Sequence, residues 1–309
     1  MNLLLYGLVV LLWGTTWIGI KLQLGSVDPA VSVAYRYILA ALCLFIWVRA
    51  RRLPMRFRPS EHLRFAAVGL LMYSTNYVLF YYCSKYLVSG LVSIIFCLSV
   101  AFNIVNGRIF LKRPVSVEVI LAALAGVVGL SMIFGREVMS TSHARDVVLG
   151  VLLGLGATLL FSFGNIMSSK NQAVGLPVVQ GTAWSMGYGA LFTTLGCLAI
   201  GANFSVEWSP RYLAGLFYLA VFGSAIAFVA YLTLLGRIGP DRAAYATVAF
   251  PLVSLTLSTI FEHYTWSPLA VLGVLLVLAA NAFVLGGKHL RRALRRRPAG
   301  TAVNQEELA

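Results

Sequence analysis

The sequence predicts an all-α integral membrane protein, with ten transmembrane helices arranged as two inverted five-helix repeats around a central cavity. Three observations predict it. Hydrophobic residues make up 60% of the 309 positions and charged residues only 11%, where soluble domains carry about 25%. The apolar residues gather into ten stretches close to membrane-crossing length, about 20 residues. The second half of the chain also repeats the pattern of the first.

The spans cover residues 2–21, 31–49, 63–84, 88–107, 116–134, 147–169, 178–200, 212–235, 241–261 and 267–286. The first lacks a basic leader and a small-residue cleavage site and reads as a retained helix. Residues 1–135 form the first repeat, 147–287 the second, and 288–309 a basic tail. The formal net charge is +14, but the basic residues sit in short runs between apolar stretches. That is the pattern of cytoplasmic loops, not of a nucleic-acid-binding surface. Eighteen Lys and Arg residues fall after even-numbered spans, including Arg51, Arg52, Lys112 and Lys288, and five on the opposite side. Both termini are therefore expected in the cytoplasm, at the inner membrane. Cys43, Cys83, Cys97 and Cys197 lie inside apolar spans without metal-ligand spacing, so no metal, cofactor or disulfide framework is expected.

The repeat appears without gaps. Shifted by 151 positions, GRIFLKRPVSVEVILAALAGVVGL lies on STIFEHYTWSPLAVLGVLLVLAAN, pairing Ile109 with Ile260, Phe110 with Phe261 and Ser116 with Ser267. One residue less places Trp13-Gly14 on Phe163-Gly164. Five helices is an odd number, so the second copy enters the membrane from the other side, and substrate sites in such folds lie near the midplane.

WGTTWIGIK ending the first span, AYRYILAAL in the second and AYATVAFPLVSLTLSTIFE in the ninth resemble the EamA-type transporters of the drug/metabolite transporter superfamily. The resemblance covers nearly the whole chain. It implies a carrier with two inverted bundles around a cavity, many members exporting amino acids or other small metabolites. The family pairs a proline within a helix with a glutamate at its end. Pro251 and Glu262 keep that pair, whereas Val100 and Leu111 replace it in the first half.

Candidate binding residues follow from polar groups on apolar helices. Ser99, Asn103 and Asn106 are spaced four and three apart and share one helix face. Hydrocarbon solvates amides poorly, so the stripe faces either a wet cavity or a neighbouring helix. Tyr73, Asn76, Tyr77 and Tyr81 recur at helical spacing in the third span, as a cavity wall or an interfacial belt. Trp17, Asn165, Trp184, Tyr188 and Tyr245 are further candidates for substrate contact. Arg36 and Lys21 are expected to snorkel to the interface, with a carboxylate-binding role open for Arg36. Gly90 and the pair Gly239-Pro240 occupy matching links between spans and are expected hinges.

The function expected is secondary transport of a small polar or zwitterionic metabolite, foremost amino acids, as export by alternating access. The partners are a small-molecule substrate and the lipid bilayer. Glu118, Asp241 and Glu262 sit at span ends, so no carboxylate lies near a midplane and facilitated movement is favoured over a proton relay. The alternatives are a flippase for a lipid-linked metabolite and a membrane enzyme. Against the enzyme, the four histidines cluster with neither metal-ligand nor acid/base partners.

Overall fold

The computed structural model describes residues 2–111, 117–140, 144–238 and 245–295, which form ten helical rods. These are α1 (Asn2–Gln23), α2 (Pro29–Ala50), α3 (Pro59–Tyr86), α4 (Ser89–Cys97 continuing as Ser99–Leu111) and α5 (Val117–Ser140). The second repeat holds α6 (Ala144–Ala173), α7 (Val178–Ala199), α8 (Pro210–Ala220 continuing through Ala227–Ile238), α9 (Tyr245–Phe261) and α10 (Pro268–Arg295). The rods coincide with the ten expected spans.

Local chemistry sets several of the starts. Asp28 accepts a hydrogen bond from the Ala30 N–H at 2.7 Å, and Pro29 opens α2. Ser209 accepts from the Tyr212 N–H at 3.3 Å, and Pro210 opens α8. Proline costs nothing in a first turn, where its missing N–H has no intrahelical acceptor. At α3 the Glu61 carboxylate accepts from the Arg58 N–H at 2.6 Å.

By length and composition six of the described helices are able to cross a membrane: α1, α2, α3, α4, α6 and α8. Shorter apolar runs lie in α5, α9 and α10. The expected span α7 carries Gln180, Thr182, Ser185 and Thr193, all buried inside the protein. Packed against α2 and α3, it faces protein where a lipid-facing helix would need apolar side chains.

The packing obeys the repeat. Exchanging each helix for the one five places on maps α1 against α9 onto α6 against α4, and α1 against α8 onto α6 against α3. The pairs α2–α7, α4–α9 and α5–α10 map onto themselves and lie around the pseudo-two-fold axis. Two π-helical turns, Gly69–Ser74 in α3 and Val221–Ile226 in α8, also fall at matching points. Such turns re-aim the residues that follow and recur at functional sites.

At the axis α5 and α10 touch through glycine. A Cβ on Gly129 would lie 2.7 Å from the Gly273 carbonyl oxygen, and one on Gly273 would lie 2.5 Å from that of Gly129. Small residues let membrane helices approach this closely. Gly273→Leu should therefore force the pair apart and cost about 1–3 kcal/mol. A lowered melting temperature in detergent is the expected reading, and an unchanged one would contradict the contact.

Candidate functional site

Helices from both repeats meet around a narrow, tightly packed aromatic cavity. α1 contributes Trp13, Thr16, Trp17 and Ile20, whose spacing places them on one face. Tyr77 and Phe80 come from α3, Phe96 from α4, Phe161 from α6 and Phe250 from α9. The rings interlock: Trp17 lies 5.1 Å from Phe80 and 6.3 Å from Phe250, and Phe96 lies 4.6 Å from Phe161. The indole N–H groups of Trp13 and Trp17 are buried with no partner among the described residues. A ligand filling this space would meet apolar faces and two unmatched donors.

Arg36 stands behind the cavity wall, against the lining residue Tyr77. Its guanidinium stands 4.5 Å from the centre of the Tyr77 ring and 5.6 Å from that of Tyr37. Its Nε donates to the Ser224 hydroxyl at 2.8 Å, a group carried by the π-helical turn of α8. The residue is 0% exposed, which corrects the expectation that it snorkels to the interface. The interior solvates it instead, with phenol faces from α2 and α3 and a hydroxyl from α8. The sequence held a signal for this: Arg36, Ala40, Leu44 and Val48 form an i, i+4 row, and all four are buried. The approach of α8 depends on Gly223, where a Cβ would fall 2.4 Å from the Thr16 methyl group and 3.6 Å from an Arg36 terminal nitrogen.

The tyrosines of α3 form a ladder beside Arg36. Tyr73 and Tyr77 lie 5.6 and 5.1 Å from Tyr37, and the Tyr81 hydroxyl donates to Gln23 Oε1 at 2.6 Å. Asn76 donates to the Ala157 carbonyl at 2.7 Å and ties α3 to α6. Below the ladder, Ser168, Asn171, Gln172, Thr182 and Ser185 help to line a second, narrow space between α3, α6, α7 and α8.

Of the residues singled out from sequence, Trp17 and Tyr77 line the aromatic cavity, and Tyr81 stands one turn beyond Tyr77. The α4 stripe is elsewhere. Asn106 donates to the Ser162 hydroxyl of α6 at 2.8 Å, while Ser99 Oγ and Asn103 Oδ1 are buried without a partner among the described residues. Trp184 packs 4.6 Å from His62 and 5.2 Å from Phe45, and Tyr188 shares a hydrogen bond with His62, all outside the cavity lining. Asn165 is buried with both amide atoms unpartnered among the described residues. Gly90 packs on Leu255 and Ser258 of α9. The side chain of Tyr245, together with Gly239 and Pro240, lies outside the described residues. Trp13, Phe96, Phe161 and Phe250 were not singled out, because an aromatic ring on an apolar helix looks alike whether it faces lipid or cavity.

At one end of the bundle a carboxylate ties the two repeats together. The Glu262 carboxylate accepts from the Ser89 N–H at 2.9 and 3.1 Å and from the Ser89 hydroxyl, and Lys21 stands 3.8 Å away. Val88 has no side chain able to cap α4, so Glu262 does so from the second repeat, where the helix dipole also favours an anion. Nearby, Glu207 accepts from Ser26 at 2.9 Å and from Ser209 at 2.6 Å. These hydroxyls hold the Glu207 carboxyl below the usual carboxylate range. The small stabilisation that these hydrogen bonds give is thus present above the ordinary carboxylate pKa and lost as pH falls through the lowered value.

Comparison with known proteins agrees with this architecture. The profile of the EamA-like transporter family matches residues 1–135 and 148–286. The uncharacterized transporter YoaV of Bacillus subtilis is 24% identical over 87% of this chain and 91% of its own length. The uncharacterized inner membrane transporter YedA of Escherichia coli is 25% identical over 91% of this chain and 89% of its own. A protein of known crystal structure superposes with a TM-score of 0.69 at 16% identity, over 94% of this chain and 98% of the other. At that identity the likeness is one of fold.

Proposed function

The chain belongs to the EamA-like transporter family, and from that premise we propose that it is a secondary carrier of the inner membrane, exporting a small metabolite by alternating access. Amino acids with apolar or aromatic side chains are the foremost substrates. The observation that carries this reading is the aromatic cavity, built by α1, α3 and α4 of one repeat with α6 and α9 of the other. A site made of both repeats is reshaped when they rock against each other. The Glu262 end is the outer end if the loop charges orient the chain with both termini inside. The polar space near Asn171 then belongs to the cytoplasmic half, and substrate enters there.

Uptake of radiolabelled amino acids into proteoliposomes, measured beside lipid scrambling in the same vesicles, tests the reading. Saturable amino-acid flux without scrambling is expected; scrambling without such flux would favour a lipid flippase. Orientation is checked in whole cells. A cysteine replacing Asn203 should react with an impermeant maleimide and one replacing Ser60 should not, and the reverse pattern would invert the topology.

A further inference from the structure

Among the described residues Arg36 is a cation without an anion. Its side chain is 0% exposed, and among the described residues Nη1 has no hydrogen-bond partner and no carboxylate lies within ion-pair distance. Arginine does not shed its proton to escape burial. A buried guanidinium is costly unless it is paired or fully hydrogen-bonded, and in membrane proteins such residues mark substrate and ion pathways. Ser224, the Tyr37 and Tyr77 rings and the neighbouring Tyr81 hydroxyl satisfy it only in part, since Nη1 is left without an acceptor among the described residues. Its position adds to this. Tyr77, on which it stacks, and Thr16, which meets the same Gly223, are both cavity-lining residues.

We infer that Arg36 is the carboxylate-binding element of the transport site, and that the substrates are organic carboxylates whose apolar or aromatic body fills the Trp13–Trp17–Phe250 cavity. This rests on the reading of that cavity as the transport site and narrows what it takes. The planar fork of a guanidinium matches a carboxylate in two parallel hydrogen bonds. The described cavity lining contains no acidic side chain, so the carboxylate is required and an ammonium group is dispensable. The transported anion itself completes the pairing that the protein leaves open.

The test is equilibrium binding to the full-length protein in detergent with three probes of matched ring size: phenylacetate, L-phenylalanine and phenethylamine. Phenylacetate and L-phenylalanine should bind, and phenethylamine should bind at least about tenfold more weakly, as expected for loss of a charge-assisted pair. Arg36→Lys should weaken phenylacetate and Arg36→Gln weaken it further, with phenethylamine unaffected. Phenethylamine binding as tightly as phenylacetate, no binding of phenylacetate to the wild type, or unaltered phenylacetate affinity in Arg36→Gln would each overturn the inference. The wild-type series decides even if both variants misfold. Phenylacetate bound through Arg36 without flux in proteoliposomes would leave the anion site standing and sink the transport reading. Saturable flux of the amine and not the acid would do the opposite.

Discussion

Glu262→Ala should shift the protein away from the closed arrangement by about 3 kcal/mol, roughly a hundredfold in the ratio of closed to open states. The carboxylate serves the Ser89 N–H, the Ser89 hydroxyl and Lys21 together. Its removal leaves the first turn of α4 uncapped and a cation unpaired. A maleimide applied from the outer side to a cysteine replacing Ile20, a 1% exposed cavity residue, reports the opening. The four native cysteines are first replaced by serine or alanine. The modification rate should rise by one to two orders of magnitude, with Glu262→Asp in between. An unchanged rate would mean that Glu262 does not hold this end closed.

Trp17→Ala should raise the apparent KM for an aromatic substrate about 10- to 100-fold, equivalent to roughly 1.4–2.7 kcal/mol. The indole lies among Phe80, Phe96 and Phe250 and offers a ligand both a ring face and an unmatched N–H. Aromatic pairs contribute about 0.5–1.5 kcal/mol beyond the area they bury. Trp17→Phe keeps the face and loses the donor, so its KM should fall between the two. If Trp17 only packs the core, Trp17→Ala lowers the melting temperature while the folded fraction keeps its KM.

The helices were legible in the sequence because apolar run length is a direct consequence of bilayer thickness: span 88–107 became Ser89–Leu111, and span 178–200 became Val178–Ala199. The repeat was legible for the same reason. The π-helical turns were not, since GLLMYS and VFGSAI contain no proline or charge to mark them; tertiary packing against α7 and α2 selects them. The α4 stripe shows where periodicity stops. It identified the shared face of Ser99, Asn103 and Asn106, yet which helix that face meets is set by how the repeats dock, and Asn106 meets Ser162. Glu262 stood out as half of a family pair, but its role as a cap for Ser89, 173 residues away in sequence, is a product of the fold. The matching end differs. Lys170, one residue before the point of α6 that corresponds to Lys21, stands 5.7 Å over the Phe110 ring, next in sequence to Leu111 where the second repeat has its glutamate. Among the described residues the two ends are therefore held differently, one by a charged contact and the other without an equivalent carboxylate.

Counterflow tests the central claim that the aromatic cavity serves both sides of the membrane in turn. Proteoliposomes preloaded with unlabelled L-phenylalanine are diluted into trace radiolabelled L-phenylalanine. An alternating-access carrier returns from the trans side loaded, so label should accumulate transiently above its equilibrium level and then decay. Arg36→Gln and Trp17→Ala should flatten that overshoot. Label that rises monotonically to equilibrium, or an overshoot indifferent to both substitutions, would contradict the account.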